Sequence, residues 1–284
     1  MDNVVPADVV LADEANGAAT LTLNRPAKRN ALDIEVFQAL EGFLDDIAAR
    51  TDEIGVVVLR GAGSCFSAGA DISRPTKAPR HDYQASVIEK LANLPQPTIG
   101  AVHGHCVTGG LELALATDLI VAAESARFAD THARYSLVAG WGMTQRLPRR
   151  VGPYKAREMM FTAREYDGRQ AEAMGLAALC VPDGELDAAV AGLVRAIVAG
   201  SWFSHREHKR ILLRTDGMTL AEGLADEAYR VPVRVGPDFR ARAGGRFGLD
   251  RPQPDSPDKP DKPDKPDRPD RPDTPKPDSP MGAQ

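Results

Sequence analysis

The run Ile99-Gly100-Ala101-Val102-His103-Gly104-His105-Cys106-Val107-Thr108-Gly109-Gly110-Leu111-Glu112-Leu113-Ala114 opens as a buried strand and closes as a short apolar helix. A glycine-containing turn, Gly104 to Gly110, joins the strand Thr98 to Val102 to a helix over about Gly109 to Ala116, and a second apolar strand, Leu119 to Ala122, follows. Strands with interposed helices point to an α/β core. An earlier segment has the same form: Val56-Val57-Val58-Leu59 runs through Arg60 into Gly61-Ala62-Gly63-Ser64-Cys65-Phe66-Ser67-Ala68-Gly69-Ala70-Asp71-Ile72.

Moving outward, Val9 to Leu11 and Thr20 to Leu23 are β-type runs either side of Asn16-Gly17, a strong hairpin signal. The period then changes: Phe37, Leu40, Leu44 and Ile47 fall at helical spacing, with Asp33 placed to cap. A further helix is expected over Tyr83 to Leu94, ended by Pro95-Gln96-Pro97. Beyond Pro153 the text is mostly helical: Tyr154 to Phe161, Gly168 to Met174, Glu185 to Ala199, Phe203 to Leu213 and Leu220 to Val231.

Of the 22 prolines, 11 lie between Pro252 and Pro280, where the text repeats as Pro-Asp-Lys or Pro-Asp-Arg. Such a segment cannot bury enough apolar surface to offset its ordering entropy, so residues 250–284 are expected to be a disordered, extended tail. A chain ending near Leu249 is expected to keep fold and activity. Without the tail the net charge is −3, against −5 for all 284 residues, so this is no electrostatic nucleic-acid binder. No apolar run approaches the roughly 20 residues that span a membrane, and the start has no leader pattern, so a cytoplasmic protein is expected. Cys65, Cys106 and Cys180 are odd in number and widely spaced, which argues against a disulfide framework.

The two glycine-bearing loops define the chemistry. Neither carries Gly-x-Gly-x-x-Gly or the Gly-Lys-Ser/Thr of a nucleotide loop, so NAD and ATP are disfavoured. Small residues do bring a ligand close to main-chain N–H groups, and Gly109-Gly110 opens a helix whose first N–H groups lack partners. Two such donors suit a developing oxyanion. Glycines in such loops also serve turns and tight helix–strand packing. His103-Gly104-His105-Cys106 has too few ligands at matching spacing for zinc.

With these residues in view, the chain resembles the crotonase, or enoyl-CoA hydratase and isomerase, superfamily over Val9 to about Leu249. The resemblance rests on Leu23-Asn24-Arg25-Pro26 with Asn30-Ala31-Leu32, on Phe66 to Ile72, on Gly104 to Ala114, on Asp118-Leu119-Ile120, on Phe128 and on Thr144-Gln145-Arg146-Leu147. It implies the ClpP/crotonase-like α/β fold: a spiral of ββα units over residues 1–199, then a helical part, 200–249, through which the family forms trimers, often paired as hexamers. It implies an acyl-CoA thioester as substrate, with its carbonyl oxygen between the N–H groups of Ala70 and Gly109. Gly110 and Ala68, Asp71, Ile72 and Ser73 would border the substrate, and Lys28 and Arg29 would meet CoA phosphates or remain solvated turn charges. Asp71 would alternatively anchor its own loop. No metal or redox cofactor is implied, because CoA arrives as part of the substrate.

Glu112 stands at the position of the first acid/base glutamate, in apolar helix text where burial would raise its pKa. The second glutamate position, four residues after Phe128, is occupied by His132. An imidazole can replace a carboxylate as acid or base, and Asp130 is a possible stand-in carboxylate. Trp141 and Tyr135 are expected to shape an acyl pocket. The leading expectation is an enoyl-CoA hydratase. The broken glutamate pair leaves enoyl-CoA isomerisation, other enolate chemistry such as hydrolysis or decarboxylation, and non-catalytic acyl-CoA binding as alternatives.

Overall fold

The computed structural model describes residues 9–73, 78–232 and 234–247. The chain divides into two units, Met1–Asp238 and Phe239–Gln284. The expected disordered tail, residues 250–284, lies outside the described residues.

In the first unit Asn16 and Gly17 both adopt positive φ, +52° and +76°, the requirement of a tight hairpin turn. Strands β1 (Val10–Ala15) and β2 (Ala18–Leu23) therefore pair antiparallel, from Val10 opposite Leu23 to Ala15 opposite Ala18. A 3-10 turn, Pro26–Lys28, leads to α1 (Ile34–Ala49), capped by Asp33, whose carboxylate accepts the Val36 N–H at 3.0 Å. Such a cap is worth about 1 kcal/mol. The chain continues through β3 (Val56–Gly61), α2 (Tyr83–Ala92), β4 (Thr98–Val102), β5 (His105–Val107) and α3 (Gly109–Leu115). Then come β6 (Leu119–Ala123), β7 (Arg127–Ala129), a 3-10 turn at His132–Tyr135, α4 (Met143–Val151) and α5 (Pro153–Thr162). The unit closes with β8 (Tyr166–Asp167), α6 (Gly168–Ala173), β9 (Leu179–Val181), α7 (Leu186–Ala199), α8 (Trp202–Thr215) and α9 (Leu220–Tyr229). The second unit contributes α10 (Phe239–Phe247).

The main sheet has six strands in the order β1-β2-β3-β4-β6-β9, parallel from β2 onward. A second sheet orders β5-β7-β8, with β5 and β7 parallel. Central strands are covered on both faces, which is why Val56-Val57-Val58-Leu59 is a continuous apolar run rather than an alternating one. Val57 and Leu59 join Leu21, Phe37, Leu40 and Phe66 in the larger core. Val56 and Val58 join Ile99, Val121, Leu186 and Val190 in a smaller one against α7.

Three features depart from the sequence reading. The turn expected from Gly104 to Gly110 contains β5, whose partner Arg127–Ala129 lies about twenty residues on. The strands β7, β8 and β9 have at most three residues, too short to show a period. Helix α4 is absent from the reading because its text is polar and holds Pro148.

Candidate active site

Both glycine-bearing loops leave the C-terminal ends of adjacent parallel strands, β3 and β4, where α/β sheets place ligands. The first is held from outside by the segment after β2. Asn30 is buried; its side-chain amide donates to Ala62 O and Cys65 O, both at 2.8 Å, and its Oδ1 accepts the Arg25 N–H at 2.9 Å. The Ser67 hydroxyl donates to Asn30 O at 2.8 Å and accepts the Gly69 N–H at 3.1 Å. The Arg25 guanidinium lies between Asp33, at 2.9 Å, and Asp71, at 3.0 Å. Gly69 sits at φ +91°, its carbonyl accepting from Leu32, and Leu32 O in turn accepts from Asp71 N.

The second loop is held by backbone pairing. Val107 N donates to Ser67 O at 3.2 Å and Thr108 N to Ala129 O at 3.0 Å. Thr108 is a β-branched residue at φ +51°, a conformation that costs on the order of 1–3 kcal/mol. Its hydroxyl meets that of Thr131 at 2.6 Å, which ties this loop to the one that follows β7.

The two loops touch. A Cβ placed on Gly69 would lie 3.1 Å from the Gly109 nitrogen, and one on Gly109 would lie 3.2 Å from the Ala70 nitrogen. No described residue accepts a hydrogen bond from either N–H. Gly110 has no room for a side chain, since its Cβ would fall 2.7 Å from Ser67 O.

Glu112 lies on α3 and is 1% exposed. Its Oε1 accepts the N–H groups of Trp141, at 2.7 Å, and Met143, at 3.1 Å. Its Oε2 faces His132 Nε2 at 3.9 Å. Burial pushes the Glu112 carboxyl above the usual range; the two N–H donors and the His132 charge oppose that without cancelling it, and the Asp130 charge adds to it. Burial would lower the His132 pKa, but the hydrogen bond to Asp130 and the charges of Asp130 and Glu112 outweigh it, so the imidazole sits above its ordinary value. Asp130 Oδ1 lies 2.5 Å from His132 Nδ1 and accepts the His132 backbone N–H at 3.1 Å.

Ala70, Gly109, Gly110, Glu112, His132 and Trp141 thus form one connected cluster. Trp141 lies against Gly109, its ring edge-on to Phe37 with centroids 5.1 Å apart. Lys28 and Arg29 are exposed on the 3-10 turn beside the first loop, where Arg29 O accepts the Ala68 N–H at 2.9 Å. The Asp71 carboxylate is taken up by Arg25 and by the hydroxyl and N–H of Ser73, so it anchors the loop; Ile72 is 71% exposed. His103 Nε2 pairs with Gly63 O at 2.9 Å, and the Cys106 thiol donates to Gly110 O. Tyr135 is exposed. Sequence reasoning missed the clasp of Glu112 by Trp141 and Met143, and it weighed Asp130 as a replacement carboxylate rather than as the partner of His132. The available signal was the two-residue spacing, over which an aspartate bonds a following N–H.

Residues 13–230 match a family model described as enoyl-CoA hydratase/isomerase. A probable enoyl-CoA hydratase of Rhizobium meliloti is 35% identical over 225 residues, covering 78% of this chain and 87% of that protein. The mitochondrial methylglutaconyl-CoA hydratase of Mus musculus is 37% identical over 172 residues, 58% of this chain and 55% of that protein, so the match spans about half of that relative's length. Among solved structures, the enoyl-CoA hydratase of Bacillus anthracis superposes with a TM-score of 0.77 at 28% identity, covering 84% of this chain and 96% of that one.

Proposed function

The chain belongs to the enoyl-CoA hydratase/isomerase family and has the crotonase fold, and on that premise we propose that it adds water to a trans-2-enoyl-CoA, giving the 3-hydroxyacyl-CoA. The observation that carries this reading is the contact of two acceptor-free N–H groups, on Ala70 and Gly109, beside a buried Glu112 with one oxygen unoccupied and facing His132.

The thioester carbonyl oxygen accepts from both N–H groups. As water adds to the β carbon, charge collects on that oxygen as an enolate, where each donor is worth about 3–4 kcal/mol. Glu112 Oε1 is fixed by two N–H bonds, so Oε2 is the free acceptor. The 3.9 Å gap between Oε2 and His132 Nε2 lets one water hydrogen-bond to both at about 2.8 Å. Glu112 takes a proton from this water as its oxygen bonds the β carbon, and His132 Nε2 gives a proton to the α carbon. The hydroxyl and the proton reach the same face of the double bond, a syn addition. Lys28 and Arg29, exposed beside the first loop, contact the CoA phosphates, and Trp141 bounds the acyl group. The exposed Leu212, Leu220, Leu224 and Tyr229 of α8 and α9 support assembly as a homotrimer or a pair of trimers.

The test is loss of the conjugated thioester absorbance when the protein is mixed with crotonyl-CoA and longer enoyl-CoA esters. Turnover is expected, with Glu112→Gln lowering kcat on the order of 100- to 10,000-fold while thioester binding persists. Binding of CoA esters with no turnover at any chain length would overturn the reading.

A further inference from the structure

Asp130 is 2% exposed, and the same carboxylate oxygen receives both N–H groups that His132 offers on that side, the backbone amide and ring Nδ1. With Nδ1 committed, the ring cannot flip, and Nε2 is the nitrogen that faces Glu112. Thr131, between the two residues, is itself held by the Thr108 hydroxyl, so the Asp130–His132 turn is fastened to the loop that carries Gly109.

We propose that Asp130 is a positioning residue that holds His132 as the site's proton donor, so that the reacting proton is stored on Nε2 rather than on a neutral carboxylic acid. This rests on the hydratase reading for the identity of the proton's destination, the α carbon. Two carboxylates in one site share their work because one stays neutral and acts as acid while the other is ionised. Here the groups facing His132 are Asp130, from the turn after β7, and Glu112, from α3; both are acidic, and they raise the imidazole's proton affinity against the opposing effect of burial. In the reaction the Nε2–H bond breaks, the Cα–H bond forms, and the imidazole left behind is neutral, with its Nδ1–H still on Asp130. The ring regains its proton from solvent or from Glu112, which acquired one from the water.

The alternative is that Asp130 only braces the 3-10 turn. Asp130→Asn separates the two, because an amide oxygen still accepts from both N–H groups while the negative charge is gone. The ring nitrogens of His132 are followed by 15N NMR in the full-length chain, assigned by omission in His132→Gln. Removing the adjacent charge is expected to lower the His132 titration midpoint by about one unit or more. In the enoyl-CoA assay the alkaline limb of kcat moves down with it, and kcat at neutral pH falls on the order of 10- to 100-fold with KM changed far less. Asp130→Glu, which keeps the charge, restores the midpoint. A midpoint in Asp130→Asn that overlays the parent's overturns the proposal. If the parent chain hydrates no enoyl-CoA, the hydratase reading falls, while the NMR titration still decides whether Asp130 governs His132.

Discussion

The loops after β3 and β4 bring the backbone at Ala70 and Gly109 together, yet they are held by different means. The first, Gly61 to Asp71, is tethered by side chains from residues 25–33: the Asn30 amide and the Arg25 guanidinium, the latter between Asp33 and the loop's own Asp71. The second, His103 to Thr108, is held by strand pairing of β5 with β7 and by a strained Thr108 whose hydroxyl reaches Thr131. The first loop therefore depends on polar side chains of a distant turn as well as on its backbone bonds to Leu32, and the second on backbone register. The candidate acid–base pair, Glu112 and His132, lies on the second side.

The largest effect is expected where the loops meet. In Gly109→Ala the new methyl falls 2.4 Å from the Trp141 ring, which must leave Gly109 and its edge contact with Phe37. A displaced donor should lower kcat for crotonyl-CoA on the order of 100-fold or more; a normal rate would show that the contact is not the oxyanion site. Next, Asn30→Ala strands the buried Cys65 carbonyl, the partly buried Ala62 carbonyl and the Arg25 N–H and should cost about 2–3 kcal/mol in denaturant unfolding. A near-neutral result would show that the first loop stands without its tether.

Asp71→Asn tests the ionic part of that tether and should cost about 1 kcal/mol. The Ser73 hydroxyl, against the opposing pull of burial, and then the Arg25 guanidinium and the Ser73 N–H hold the Asp71 carboxyl below its usual range. A depressed folded value contributes stability above the unfolded value of about 3.9, lost as pH falls through the folded one. Acid should thus loosen the first loop before the second, followed by the Ser73 amide resonance, and the variant should flatten that response. The smallest effect is expected for Thr108→Gly, where relief of the φ +51° strain is offset by loss of the Thr131 hydroxyl bond. A net change within about 1 kcal/mol is expected by thermal unfolding, and a larger loss would make the hydroxyl pair the main fastening of the second loop.

Much of this was legible in the linear chain. The Asn16-Gly17 hairpin, the Asp33 cap, the unbroken apolar strands and the two small-residue loops all follow from short-range chemistry, and the structure has each of them. Asp71 was readable as a loop anchor for the same reason, because its Ser73 partner is two residues away. The tether from Asn30 and Arg25 was not: their partners lie some 30 to 46 residues away. Strands β5 and β7 carry no period of their own and exist because each supplies the other's hydrogen bonds.

The sequence alone determined the family and the α/β architecture, and it singled out Glu112 and His132 as the candidate acid–base pair, since local propensity and motif order are written residue by residue. The tertiary structure decided what those two side chains face. Pairing β5 with β7 brings residue 108 against 129 and 131, which carries His132 to within 3.9 Å of Glu112 and leaves Asp130 behind it. Burial sets the direction in which Glu112 titrates, and the neighbouring carboxylates, against burial, set that of His132, because desolvation and neighbouring charge depend on what surrounds a residue in space.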